Sequence, residues 1–150
     1  ATTEIYTGED TLSLHDALRS PYLFIDEYET LGGTEYFLSF EDKDRNVVFA
    51  FCRLRLVEQA GKKPDKKLVP FPAYIRELHT YGQLVKIGKQ ELGSSQHTGL
   101  GKKLVKKAEE ITKQHNIHTL AVISGVGVRD YYRRFGFKLQ NTYMVKKLHK

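Results

Sequence analysis

The sequence predicts an α/β domain with a mixed central sheet flanked by helices, and three observations carry that expectation. Two strand-like runs joined by turn formers lie between residues 36 and 57, apolar residues recur at helical spacing between 99 and 113, and short strand-like and helical runs then alternate to the end. A hairpin followed by strand, helix, strand, helix, strand needs both antiparallel and parallel neighbours.

In order along the chain, residues 1–20 are polar and read as an irregular N-terminal segment that opens on Ala1 rather than Met, as a processed or excised chain does. Tyr36 to Asp42 and Val47 to Val57 are rich in β-branched and aromatic residues, and the Lys-Asp-Arg-Asn between them makes the pair a hairpin. Gly61 to Pro72 holds Lys62, Lys63, Lys66, Lys67 and three of the four prolines, the composition of a connection with a solvated lysine run. Pro72 to Tyr81 alternates as a strand, which puts Ile75, Glu77, His79 and Tyr81 on one face and Tyr74, Arg76, Leu78 and Thr80 on the other. Gly82 ends it, and a loop runs to Ser95.

The clearest helix spans Gly99 to Lys113, with Leu100, Leu104, Val105, Ala108 and Ile111 on one stripe and Lys102, Lys103, Lys106 and Lys107 off it. Thr119 to Ser124 reads as a buried strand, Val128 to Phe135 as a short helix closed by Gly136, and Phe137 to Val145 as a final strand. No repeat or domain boundary interrupts the 150 residues, so they form a single domain.

Composition narrows the chemistry. At 40% hydrophobic and 28% charged the chain can bury an ordinary core, and no apolar run is long enough to span a bilayer. These features, with no secretory leader, predict an intracellular protein without membrane attachment, cytoplasmic or nuclear. Cys52 is the single cysteine, so this chain alone cannot hold an iron–sulfur cluster, and the six histidines lack the spacing of a catalytic zinc site. The net charge of +6 is uneven: residues 97–150 carry twelve Lys/Arg against three Asp/Glu, whereas residues 1–96 carry twelve against fifteen. Such a basic third suits a polyanion, either a phosphate-bearing cofactor or nucleic acid.

The informative junction is Gln96-His-Thr-Gly-Leu-Gly101, at the start of the strongest helix. Free N–H groups and the positive end of the helix dipole meet there, and glycines admit phosphate close to the main chain. The order of glycines matches neither a dinucleotide fingerprint nor a triphosphate loop. Gln-x-x-Gly-x-Gly resembles instead the pyrophosphate loop of the GNAT acetyltransferases, which bind coenzyme A. Arg76-Glu-Leu-His-Thr-Tyr-Gly82, Ala121 to Arg129, Tyr131-Tyr-Arg133, Gly136-Phe137 and Tyr143-Met-Val-Lys146 extend the likeness, as do Gly32 to Asp42 and Arg53-Leu-Arg55 upstream. Together, from about Tyr28 to Leu148, they resemble the C-terminal acetyltransferase domain of the Elongator catalytic subunit.

That resemblance implies a GNAT fold, with acetyl-CoA bound at a splayed strand pair and the following helix N-terminus, and an acyltransferase supplying the acetyl group for modification of the tRNA wobble uridine. In that family a radical-SAM domain precedes this one. These residues contain nothing of it, so tRNA, a radical-SAM domain and other Elongator subunits are the implied partners. Two departures stand out: Asp130 replaces an expected Asn or basic residue, and Ser95 an expected aromatic. A protein lysine or small-amine N-acetyltransferase is the alternative reading, and a basic tRNA-binding module with a vestigial cofactor site a third.

By the same resemblance the main chain of Glu77, Leu78, His79 and Thr80 pairs with the pantetheine arm, as an added strand would. Gln96, His97, Thr98, Gly99, Leu100, Gly101 and Lys102 offer N–H groups to the pyrophosphate, with Lys102 or Lys103 neutralising charge. Tyr131 and Tyr132 point roughly 100° apart on a helix, so one packs and one faces the cleft. Tyr132 is implied as the one at the cofactor, its phenol either protonating the departing thiolate or orienting the thioester, with core or interface filler as its other reading. Glu77 and His79 are the candidate bases, each with a structural salt bridge or hydrogen bond as its other reading. Arg129, Arg133 and Arg134 suit either RNA phosphates, the adenosine 3′-phosphate, or a solvated helix surface. Cys52, in an apolar strand without a basic neighbour, reads as a buried small side chain.

Overall fold

The structure, a computed structural model, describes residues 2–6, 21–58, 70–81 and 99–149. Its centre is one eight-stranded sheet in the order β1-β2-β3-β4-β5-β6-β8-β7. The strands are β1 (Thr2–Tyr6), β2 (Tyr22–Thr30), β3 (Gly33–Glu41), β4 (Val48–Val57), β5 (Ala73–Thr80), β6 (Thr119–Ile123), β7 (Lys138–Gln140) and β8 (Tyr143–Lys147). All neighbours are antiparallel except β5 and β6, which run parallel and are joined through helix α1 (Leu100–Gln114). A short helix α2 (Arg129–Arg133) follows a single 3-10 turn, Val126–Val128.

The expected hairpin is β3 and β4. Its turn is fixed by Asp42, whose carboxylate accepts from the N–H groups of Asn46 and Val47 at 2.7 and 2.6 Å, with Arg45 left-handed at φ 59°. The α1 stripe falls as the periodicity predicts: Leu100, Leu104, Val105, Ala108 and Ile111 are buried against Tyr36, Leu38, Leu54 and Ile75 from one face of the sheet. At its end His115 Nδ1 donates to the Ile111 carbonyl (2.9 Å) while Nε2 meets the Tyr36 hydroxyl at 3.1 Å, pinning α1 to β3. Gly136, at φ 90°, closes α2, and the N–H groups of Gly136 and Phe137 bond back to the carbonyls of Arg133 and Tyr132.

Three expectations are corrected. Residues 2–6 of the segment read as irregular form β1, paired antiparallel with β2 from Thr2↔Glu27 to Tyr6↔Leu23; a sheet edge supplies order that the local sequence does not advertise. The final strand is two, because Asn141 at φ 57° turns the chain between β7 and β8. The faces of β5 also differ from simple alternation. Arg53 pairs with Glu77 but Leu54 with Ile75, so Arg76 is an extra residue, a β-bulge. The bulge turns the strand over, placing Ile75, Leu78 and Thr80 opposite Leu54, Cys52 and Ala50 on the α1 side, and Glu77 and His79 opposite Arg53 and Phe51 on the other.

Candidate functional site

The same bulge opens the sheet. β5 and β6 share only Tyr74↔Ala121 and Ile75↔Val122, after which β5 continues beside β4 to Thr80 with no partner on its β6 side among the described residues. A bulge sharpens local twist and bends its strand, which accounts for the divergence immediately after Ile75. The result is a main-chain edge from Glu77 to Thr80, free to accept an extended ligand as a further strand.

The mouth of this opening meets the start of α1. Gly99 caps the helix at φ 80°, with no side-chain cap bond and no acidic residue in the first turn. The first helical bond runs from the Lys103 N–H to the Gly99 carbonyl at 3.1 Å, so the N–H groups of Leu100, Gly101 and Lys102 precede the helix's own ladder. Lys102 and Lys103 are exposed beside them, and a Cβ at Gly99 would meet no atom within 4 Å. Gly101, buried, is different: a Cβ there would lie 2.2 Å from the Tyr131 hydroxyl and 3.1 Å from Thr80 Cγ2. The end of β5, the first turn of α1 and helix α2 thus converge on one glycine.

The tyrosines divide as their spacing requires, with one packed and one at the cleft. Tyr132 is 5% exposed, its ring edge-on to Phe137 at 5.8 Å and to Tyr131 at 5.3 Å. Tyr131 is half-buried and carries its hydroxyl to Gly101. The resemblance assigned the cofactor contact to Tyr132; the geometry brings the Tyr131 hydroxyl to the helix start. Burial raises both phenols above their ordinary range, so each keeps its proton at neutral pH.

Glu77 lies 3.3 Å from Arg53 in an ion pair exposed on both sides, and His79 is exposed with its ring 5.0 Å from that of Phe51. Both face away from α1, while Leu78 and Thr80 face it. Gln96, His97 and Thr98 lie outside the described residues. Arg133 is tied to Asp130, and Arg129 and Arg134 share that short helix region. Cys52 is buried at 0% exposure and its thiol is pushed up by desolvation, which removes it as a nucleophile. No cluster of three metal-ligating side chains occurs among the described residues, nor a helix long and apolar enough to cross a membrane.

The Gly101–Tyr131 contact and the Arg76 bulge escape sequence reasoning, since the first is tertiary and the second carries no glycine to signal it. Comparison with known proteins agrees with the geometry. A family model described as an acetyltransferase (GNAT) domain matches residues 92–147. Human Elongator complex protein 3 is 40% identical over 123 residues, covering 81% of this chain and 22% of its own. The tRNA uridine(34) acetyltransferase of Dehalococcoides mccartyi is 39% identical over 123 residues, covering 81% and 27%. Among solved structures, the archaeal Elp3 of Methanocaldococcus infernus superposes with a TM-score of 0.65 at 36% identity, over 85% of this chain and 30% of that one. The chain therefore spans about a quarter of the length of the curated relatives it matches.

Proposed function

The chain is a GNAT-fold domain similar in sequence to one portion of Elongator complex protein 3, and from that premise we propose that it binds acetyl-CoA and releases the acetyl group for modification of a tRNA uridine. What supports the reading most is the convergence of an open β5 edge, an uncapped α1 N-terminus and two glycines at one place. The residues fit the ligand. Among the described residues the Glu77–Thr80 main chain has no partner on its β6 side and suits the pantetheine amides, and the first N–H groups of α1 with Lys102 and Lys103 suit a diphosphate. When bound, acetyl-CoA supplies an acyl group on a thiolate leaving group.

The chain's own part is positioning and proton transfer. Tyr131, still protonated, is the donor this reading gives to the departing thiolate, and Tyr132 packs edge-on against it from within the core. Glu77 and His79, on the face of β5 turned away from α1, are the groups this reading gives the proton from the attacking water or nucleophile. Arg53, 3.3 Å from Glu77, fixes where that carboxylate stands on the face of β5 turned away from α1.

By analogy with the tRNA uridine(34) acetyltransferase, the remainder of a longer protein or a separate partner, a radical-SAM domain or Elongator subunits, completes the uridine chemistry. A cytoplasmic location belongs to the same reading. Elongator complex protein 3 and the tRNA uridine(34) acetyltransferase support the tRNA reading over the lysine or small-amine alternative. Isothermal titration with a non-hydrolysable acetyl-CoA analogue tests the site, and an absence of heat refutes it. CoA release measured with tRNA and with lysine peptides tests the acceptor: stimulation by tRNA supports the proposal, and turnover responding only to peptide overturns it.

A further inference from the structure

We propose that a basic concavity at the β7–β8 end of the sheet is a docking groove for the phosphate backbone of RNA. The inference rests on the tRNA-directed reading above and adds to it a place and a set of residues.

The hollow, about 550 Å³, is lined by Gly136, Lys138, Leu139, Gln140, Val145, Lys147 and His149. Among the described residues no carboxylate lines it, and its two lysines come from the two strands of the β7–β8 hairpin. Lys138 stands opposite Val145 in the β7–β8 register, and Lys147 follows Val145 by two residues on the same face. Diagonal partners of this kind stand about 7–8 Å apart. That spacing lets two ammonium groups serve successive phosphates rather than one.

Charge pairing leaves the same residues available. Across the basic C-terminal third, Lys146 is bound to Glu109 at 2.6 Å, Lys107 to Glu110 at 3.1 Å and Arg133 to Asp130. Lys138 and Lys147 have no such carboxylate among the described residues. Lysine on an edge strand also discourages strand-to-strand aggregation, which explains Lys138 on β7. It does not explain Lys147, on the inner strand β8, or His149 beyond it. An amide at Gln140 adds a neutral donor and acceptor for sugar hydroxyls, and Val145, opposite Lys138, gives the hollow an apolar floor between the two lysines. A polyanion with regularly spaced charge, rather than one isolated phosphate, fits this layout.

The test compares the unaltered chain with a Lys138→Glu/Lys147→Glu variant and a milder Lys138→Gln/Lys147→Gln variant, binding an unmodified tRNA transcript across a salt series. All three should bind the acetyl-CoA analogue equally, since neither lysine belongs to that site, and this equality also certifies folding. The Glu variant should weaken RNA binding roughly tenfold or more near 0.1 M salt, with the slope of log K against log salt shallower by about 1.5, the two lost phosphate contacts. The Gln variant should fall between. RNA affinity unchanged in both variants overturns the groove while leaving tRNA as substrate. An unaltered chain that binds the analogue but no RNA overturns the groove and the tRNA assignment together. Polyglutamate bound as tightly as RNA, and lost in the same variants, assigns the surface to an acidic protein instead and overturns the proposal.

Discussion

The hydroxyl of Tyr131 occupies the space that a side chain on Gly101 would need, 2.2 Å from the position of its Cβ. Two helices that are thirty residues apart in sequence meet at this point without either being covalently constrained to do so. The contact is possible only because residue 101 has no side chain, and it sets where the phenol points.

Gly101→Ala should therefore disturb the site more than the fold. The new methyl must displace a ring and the Thr80 methyl, an overpacking cost of about 1–3 kcal/mol. Affinity for the acetyl-CoA analogue should fall about tenfold, read by calorimetry beside a thermal melt. In the Tyr131→Phe background the same change should cost less, because the nearest clashing atom is gone. Strictly additive effects would show that the two residues are uncoupled.

Gly99 separates strain from charge. Its φ of 80° costs an alanine about 1 kcal/mol, but the space around it is open. Gly99→Ala should lower stability slightly and keep most ligand affinity. Gly99→Glu adds an anion to the positive end of α1, where a diphosphate is proposed, and should abolish binding. Equal affinity in the two variants would remove the diphosphate from this helix start.

The tyrosines predict a pH signature. Burial raises both phenols, and burial raises the Cys52 thiol as well, so the unfolded chain releases these protons at lower pH than the folded one. Stability from this source is whole below about pH 8.5 and declines as pH rises through 9 and 10 toward the raised folded values. Melting temperature should drop over that window, and less steeply in Tyr132→Phe. Acetyl release should slow in Tyr131→Phe and stay near the parent rate in Tyr132→Phe; the reverse order would give the acid role to Tyr132.

How much of this was legible in the sequence follows from what is local. The α1 stripe, the β3–β4 hairpin and the glycine that closes α2 are fixed by residues within a few positions of one another. β1 was not legible, because Thr2 to Tyr6 are ordered by pairing with β2, some twenty residues away. The motif reading located the glycines, but it could not place Tyr131 against Gly101, a contact between elements that approach through β6. Pairs of the Glu77–Arg53 kind are settled by register alone.

A second buried charge centre predicts stability rather than activity. Arg45 donates to both oxygens of Asp26 at 3.2 and 2.6 Å and to Glu41 at 3.2 Å, while Ser39 donates to Glu41. Both carboxylates are nearly inaccessible, so Arg45→Ala removes the guanidinium that balances two buried acids. The cost should be about 2–3 kcal/mol in urea unfolding, below that of a fully buried pair because the guanidinium is about one-third exposed. Arg45→Lys should recover only part, lacking the two-pronged contact to Asp26. Acetyl-CoA affinity should not change in either.

Deleting Arg76 isolates the bulge. Without it Ile75 is followed by Glu77 and Leu78, so Ile75, Leu78 and Thr80 again alternate with Glu77 and His79 on the faces they already occupy. No buried side chain changes sides, and the lost Arg76–Glu35 ion pair is largely exposed, worth under about 1 kcal/mol. The melt should move little. What disappears is the two-against-one step that bends β5 away from β6 after Ile75, so the Glu77–Thr80 edge should close onto β6 and leave no room for a pantetheine strand. The deletion should therefore bind the analogue at least tenfold more weakly with a nearly normal melt. Retained affinity would mean that the divergence comes from the strand ends and α1 rather than from the bulge, and the shape of the site would then need another cause.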